Sequence, residues 1–213
     1  DYQPSRGGYH AEEFLKGFSG YLTCDGFGGY NKLKDVIRCG CLAHMRRYWY
    51  DALPGKSKKT KEKTPAEIGF DYCNQLFELE KEYADLDAET RKVKRLETEP
   101  AIWKAYWSWL ETLYPTGGSR LDKAVTYAKN QKPYMENYLL DGRCSISNNI
   151  AENIARPYAI GRKNFLFHDT VKGARASSII YSLVETAKLN NLNIYAYLET
   201  VLLYMPDYKN EPE

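Results

Sequence analysis

The 213-residue chain has no apolar run long enough to span a bilayer, and no signal peptide is visible. A membrane is therefore not an expected partner. A disulfide framework is missing as well. Five cysteines is an odd number, and their spacing follows no such framework, which favours a reducing cytoplasm. Nor is there an excess of one charge sign: 30 Lys+Arg stand against 28 Asp+Glu, for a formal charge of +2. Bulk charge thus does not argue for nucleic acid, and only local clustering can. No internal repeat is visible, and the chain starts with Asp rather than Met, so it is read as a fragment. What is present is aromatic. The 14% aromatic content, with 19 tyrosines, fits a folded protein and excludes disorder. The length suffices for one good core or two small ones.

Residues 1–8 read as loop. A short amphipathic helix is expected over 9–18, carrying Phe14, Leu15 and Phe18, with Gly20 as a stop. Tyr21-Leu22-Thr23-Cys24 reads as a buried strand, and Asp25-Gly26 turns away from its end. A short helix over 27–33, a strand over 36–41 and a helix over 42–53 follow. This alternation suggests a parallel or mixed α/β sheet that draws further strands from the rest of a larger protein. Residues 56–63, KSKKTKEK, read as a solvated tether. Helical periodicity then runs over 65–114. Ile68, Tyr72, Leu76, Leu79 and Tyr83 form one stripe. Ile102, Trp103, Tyr106, Trp107, Leu110, Leu113 and Tyr114 form a cleaner one, with Pro100 near its start. A stripe this regular is read as a core seam rather than a platform for stacking bases. Further helices are expected over 121–140, broken at Pro133, over 172–190, with Ile179, Ile180, Leu183, Val184 and Ala187 as its seam, and over 194–204. The loss of strand signals across about eighty residues looks like a helical insert between two parts of an α/β core.

Polar side chains are densest over residues 141–167. Asn148, Asn149, Glu152 and Arg156 lie three and four apart, so a helix puts them on one face. Arg162 and Lys163 follow within two turns. An acid bracketed by asparagines and arginines suits a site that holds a metal ion and phosphate together. The same Asn149-x-x-Glu152 is also a capping-box pattern, in which the carboxylate only satisfies backbone N–H groups. Asp25 is the second acid. It stands at the carboxyl end of a buried strand, where α/β sheets gather ligands, although Asp-Gly is also ordinary turn chemistry. Two carboxylates brought together repel unless a cation intervenes, so an Mg²⁺ (or Mn²⁺) site is a natural use for them, and two such ions can clamp a phosphodiester. Arg46-Arg47 and the basic excess around Arg156, Arg162 and Lys163 point to an anionic partner. Cys39-x-Cys41-x-x-His44 is a zinc-like alternative, short of the four ligands of a structural site. In the packing reading, these cysteines are small buried hydrophobes and His44 hydrogen-bonds at a helix start.

Five stretches, in order, resemble the transposase of the insertion-sequence-66 family, of DDE type. They are residues 18–31 (FSGYLTCDGFGGYN), 40–47 (GCLAHMRR), 148–157 (NNIAENIARP), 161–167 (GRKNFLF) and 181–190 (YSLVETAKLN). The resemblance implies a helix-rich α/β protein. Its RNase H-like core lacks the first strand or strands and carries a large all-helical insertion and C-terminal helices. In these terms residues 1–53 are a partial core, 54–135 the insertion, 136–170 the remainder of the core and 171–213 a C-terminal helical region. It implies that Asp25 and Glu152 are the second and third catalytic, metal-binding carboxylates. Arg156, Arg162 and Lys163 then contact DNA, and Asn148, Asn149 and His44 support the site.

The implied activity is Mg²⁺- or Mn²⁺-dependent phosphodiester hydrolysis and strand transfer. The implied partners are transposon-end and target DNA and further copies of the protein assembled on DNA, in a bacterial cytoplasm. The family's first catalytic Asp lies upstream of this chain, so the chain alone is expected to be inactive. It also departs from the family pattern with Ser147 where an Asp is frequent, Asn153 where an Arg is frequent, and Cys24 in place of Thr. The alternative reading is a non-catalytic DNA-binding or assembly module of the same fold.

Overall fold

A computed structural model describes residues 3, 5–55 and 62–206. Most of the lysine-rich 56–63 tether lies outside the described residues. The chain divides into two compact units, one of residues 7–149 and one of residues 150–213 together with 1–6. None of the helices among the described residues is long and apolar enough to cross a membrane.

The larger unit opens with α1 (Gly8–Phe14) and then two strands, β1 (Gly20–Cys24) and β2 (Val36–Gly40). The strands pair in parallel, from Gly20 opposite Val36 to Cys24 opposite Gly40. A 3-10 turn, Gly28–Lys32, lies within the connection. Helices α2 (Leu42–Asp51), α3 (Pro65–Glu82), α4 (Ala88–Leu110) and α5 (Arg120–Met135) follow, then a second 3-10 turn, Asn137–Leu140. The result is helix-rich, with a two-stranded parallel sheet. Local chemistry fixes the helix starts. Thr64 and Glu67 cap α3 reciprocally in a capping box, with proline as the first helical residue. Asp87 accepts the N–H groups of Glu89 and Thr90 at 3.0 Å to start α4.

The expected core seam is present. Trp103, Tyr106 and Leu110 of α4 are fully buried with Trp49 and Met45 of α2, Leu76 of α3 and Cys39 of β2. Strands and helices therefore share one core. Tyr114 drops out of the seam because α4 ends at Leu110, and its ring is 91% exposed. Pro100 lies in the middle of α4 rather than near a helix start. The strong helix formers of residues 88–99, started by Asp87, carry the helix through it, and the carbonyl that loses a partner belongs to half-exposed Leu96. Nor is the expected break at Pro133 seen, since α5 runs on to Met135.

Two arginines of α4 secure the segment that leaves this core. Arg95 is 1% exposed. Its guanidinium meets both carboxylate oxygens of Glu80 at 2.6 Å and donates to the carbonyls of Tyr138 (3.1 Å), Asp141 (3.2 Å) and Cys144 (2.9 Å). Arg91 donates to the carbonyls of Tyr83, Ala84, Leu86 and Gly142. A Cβ at Gly142 would sit 1.7 Å from the Ala88 carbonyl oxygen, so only glycine fits there.

The smaller unit consists of α6 (Asn149–Phe165, its first residue belonging to the larger unit), α7 (Val171–Leu189) and α8 (Ile194–Tyr204). Thr170 and Asn193 cap the last two with side-chain bonds to Gly173 and Ala196 N–H at 3.0 Å. Tyr158 and Tyr181 meet edge to face across α6 and α7, and the Tyr158 hydroxyl pairs with His168 Nε2 at 2.9 Å.

Glu99 gives the larger unit a pH dependence. It is fully buried and accepts from the Tyr138 hydroxyl, which in turn accepts from Trp103 Nε1–H at 3.1 Å, while its other oxygen has no hydrogen-bond partner among the described residues. Burial, helped by the Glu80 charge, raises its carboxyl from 4.5 to about 8 against the opposing pull of Tyr138 and Arg95. The folded state then binds more protons than the unfolded chain between these values, so stability falls as pH rises from about 4.5 to about 8 and levels off above. Glu99→Gln should flatten that decline and stabilise the unit at alkaline pH. Urea midpoints from tryptophan fluorescence across this range test it, because all four tryptophans lie in the larger unit.

Candidate active site

Strand β1 ends on Cys24, and Asp25 follows at its carboxyl end, half buried. One carboxylate oxygen, Oδ1, accepts the Phe27 N–H at 3.0 Å. The turn expected of Asp-Gly is therefore made, and it fixes the carboxylate by one arm. Among the described residues, Oδ2 has no hydrogen-bond partner. Gly26 presses on α5, where a Cβ would lie 3.1 Å from both the Tyr127 ring and the Gln131 amide nitrogen.

Arg38 sits behind this turn. Strand β2 carries it opposite Leu22, and it is 7% exposed. It donates to the Asp25 carbonyl at 3.4 Å and to Asn31 Oδ1, and its guanidinium lies 4.1 Å from the centre of the Tyr134 ring. It has no carboxylate partner among the described residues, and its Nε–H is buried and unpaired. Burial raises the Tyr30 hydroxyl beside it, with the Asp25 charge acting in the same direction. Sequence reasoning missed Arg38. The only available signal was a charged residue inside an otherwise apolar strand.

The amino end of α2 closes the arrangement. Cys41 is its N-cap residue, yet no side-chain cap bond is made. The Leu42 N–H goes instead to the Ile146 carbonyl at 3.0 Å, and Asn148 N–H donates to the Cys41 sulfur at 3.2 Å. Thr23 Oγ1 reaches the Ser145 carbonyl at 3.4 Å. Segment 145–148 thus runs alongside the ends of β1 and α2. Burial pushes the Cys41 thiol up, but hydrogen bonds from the His44 side chain and from the Asn148 and His44 N–H groups outweigh it, so its pKa falls below the ordinary thiol value. Cys39 is buried with Cys144, and burial raises its thiol. No group of three or more His, Cys, Asp or Glu side chains among the described residues could hold a metal ion, so the zinc alternative finds no ligand set.

Glu152, Arg156 and Lys163 belong to the smaller unit, all on α6. Glu152 is half buried in the first turn, and Arg156 and Lys163 are exposed. Arg162 is on the same helix, and its side chain lies outside the described residues. Because α6 already includes Asn149, Asn149 and Glu152 are not in the N-cap and N3 register of a capping box. Asn148 belongs with Cys41 in the larger unit, and exposed Asn149 ends that unit.

Comparison with known proteins gives this arrangement a family. The profile described as "Transposase IS66 family" matches residues 1–176, and that described as "IS66 C-terminal element" matches residues 182–212. Among curated proteins of Sinorhizobium fredii (strain NBRC 101917 / NGR234), uncharacterized protein y4qI is 31% identical, over 94% of this chain and 39% of its own length. Uncharacterized protein y4jD is 30% identical, over 94% and 40%. Uncharacterized protein y4hP is 26% identical, over 95% and 40%. The chain therefore spans about two-fifths of the length of these curated relatives. No solved structure matches it. With family profiles covering nearly its whole length, the chain belongs to the IS66 family of transposases.

Proposed function

We propose that the chain carries part of the catalytic centre of a DNA transposase, with Asp25 and Glu152 as metal-binding carboxylates. The observation that carries this reading is the state of Asp25. It stands at the carboxyl end of a parallel strand, is held by one oxygen on the Phe27 N–H, and has no partner on the other oxygen among the described residues. A carboxylate fixed at one arm is pre-oriented for a ligand at the other.

The donor chemistry fits a hard cation. Mg²⁺ takes oxygen ligands and is commonly held by one or two carboxylates plus substrate phosphates and water, so a carboxylate such as Asp25 can serve without a dedicated cage. When bound, the metal would supply positive charge to the phosphodiester oxygens. The chain's own residues do the rest. Phe27 N–H sets the carboxylate angle, Arg38 holds the Asp25 carbonyl and Asn31, and the 145–148 segment places Asn148 beside Cys41. Arg156, Arg162 and Lys163 would take DNA phosphates, which fix position rather than sequence. The partners are transposon-end and target DNA, with further copies of the protein assembled on it. The RNase H-like core belongs to the same proposal, with β1 and β2 as part of its sheet.

In a full-length, transposition-competent protein bearing these residues, Asp25→Asn and Glu152→Gln should each reduce strand transfer by about 10³-fold or more while sparing DNA binding. Retained transfer in either variant would point to the non-catalytic, DNA-binding module instead. Arg38→Met keeps the aliphatic stem and removes the donors to Asp25 and Asn31. It should lower the stability of the larger unit by about 1–3 kcal/mol, read as a shifted urea midpoint.

A further inference from the structure

Helix α5 turns one continuous face toward α2 and the Asp25 turn. Residues 120, 123, 127, 131 and 134 recur at three- and four-residue steps along it. At the amino end, Arg120 and Lys123 are exposed. Next comes Tyr127, stacked on Tyr48 of α2 with ring centroids 4.4 Å apart. Gln131 then abuts Gly26, and Tyr134 lies against the Arg38 guanidinium. A cavity of about 310 Å³ opens between Tyr48, Asp51, Arg120 and Lys123.

The two sides of α5 treat charge differently. On the far side, Lys129 and Lys132 share Glu111 at 3.8 and 3.5 Å, and Asp122 accepts the Gly118 N–H at 2.9 Å. On the near side, Arg120 reaches only the Asp51 carbonyl, at 3.3 Å. Neither it nor Lys123 has a carboxylate partner among the described residues, and the same holds for exposed Arg47 on α2. Asp51 is the acid on this face. A second observation comes from the Asp25 end, where the Tyr127 hydroxyl, Gln131 Oε1 and Arg38 Nε are buried and have no hydrogen-bond partner among the described residues. Unmet polar groups of this kind are costly unless a polar ligand approaches. From residue 120 to 134 the face runs roughly 21 Å at the helical rise. Each phosphate of one strand advances about 3.4 Å along the duplex axis, so a face laid parallel to that axis spans a run of about six.

We propose that the α2–α5 face is a track for the DNA backbone leading to the Asp25 turn, with Arg120 and Lys123 on phosphates and the Tyr48–Tyr127 stack against sugar or base. The track rests on the reading of the chain as part of a transposase. It makes α5 part of the DNA-binding surface rather than scaffold alone.

The test is fluorescence anisotropy of a short labelled DNA duplex with the whole chain, titrated over a range of salt concentrations. Arg120→Gln/Lys123→Gln should weaken binding about tenfold at moderate salt and reduce the salt slope by about 2. Lys129→Gln/Lys132→Gln, on the far side, should change neither. Unchanged urea midpoints would show that both variants fold. If the chain binds DNA and the near-side pair has no effect, the track is wrong and the transposase reading stands. Equal weakening by both pairs reduces the attraction to bulk charge and also removes the track. If the intact chain binds no DNA at any salt, the track falls together with the DNA-binding role assigned to this chain.

Discussion

One buried guanidinium organises the larger unit. Arg95 is placed in the core by a helix whose other core contacts are Trp103, Tyr106 and Leu110. A buried charge there is tolerable only because Glu80 meets it with both oxygens and three backbone carbonyls take its remaining N–H groups. Those carbonyls belong to Tyr138, Asp141 and Cys144, in a stretch with little regular structure beyond the Asn137–Leu140 turn. Their polar backbone would otherwise need water or a ladder partner. Arg95 therefore does for this segment what a neighbouring strand does in a sheet, and Arg91 extends the effect to Gly142.

The candidate site inherits its geometry from that anchoring. Helix α2 starts without a side-chain cap, so its first N–H needs an acceptor from elsewhere. Ile146 supplies it, two residues past the last carbonyl that Arg95 holds. Asn148 then binds the Cys41 sulfur, which helps to lower that thiol's pKa. The backbone of residues 144–148 thus links the Arg95–Glu80 pair to the end of β1, hydrogen-bonded at Cys144, Ser145, Ile146 and Asn148. A substitution at Arg95 would act on the site through backbone position rather than through charge.

What could be read in the sequence was local. The two strands, α2, α7, α8 and the tryptophan seam follow from local apolar pattern, although Ile179 and Ile180 of the expected α7 seam are exposed, and Asp25 at a strand end follows from the turn signal after Cys24. What could not be read was long-range or contrary to type. Arg38 and Arg95 are charged residues in buried places, whereas charge in a sequence ordinarily marks a surface. Their partners lie in other elements, and Arg95 reaches carbonyls more than forty residues away. Pro100 looked like a helix start because proline favours that place, yet Asp87 had already begun the helix. The Asn149–Glu152 spacing fitted a capping box, but α6 starts far enough back to put Asn149 inside it. The wall that Tyr127 and Gln131 form against Gly26 has no sequence signature, because it depends on how α5 packs on the strands.

The near-zero net charge takes on a different meaning in the folded chain. A formal charge of +2 says little about affinity for a polyanion, because the Debye length at physiological salt is about 8 Å and distant charges are screened. What a DNA backbone meets is the local field, and the fold sorts its cations unevenly. Lys129 and Lys132 are paired with Glu111, and Arg143 with Asp141. Arg95 is spent on Glu80, and Arg46 lies over Phe70 with its Nε–H on Asn74. On α5, Arg120 and Lys123 have no carboxylate partner among the described residues, and both lie on the face that leads to Asp25. The neutralised residues hold the structure together, and those left over can still gain from an incoming phosphate. A nearly neutral sequence can therefore present a basic surface at one place, with the acids that balance it used in packing elsewhere.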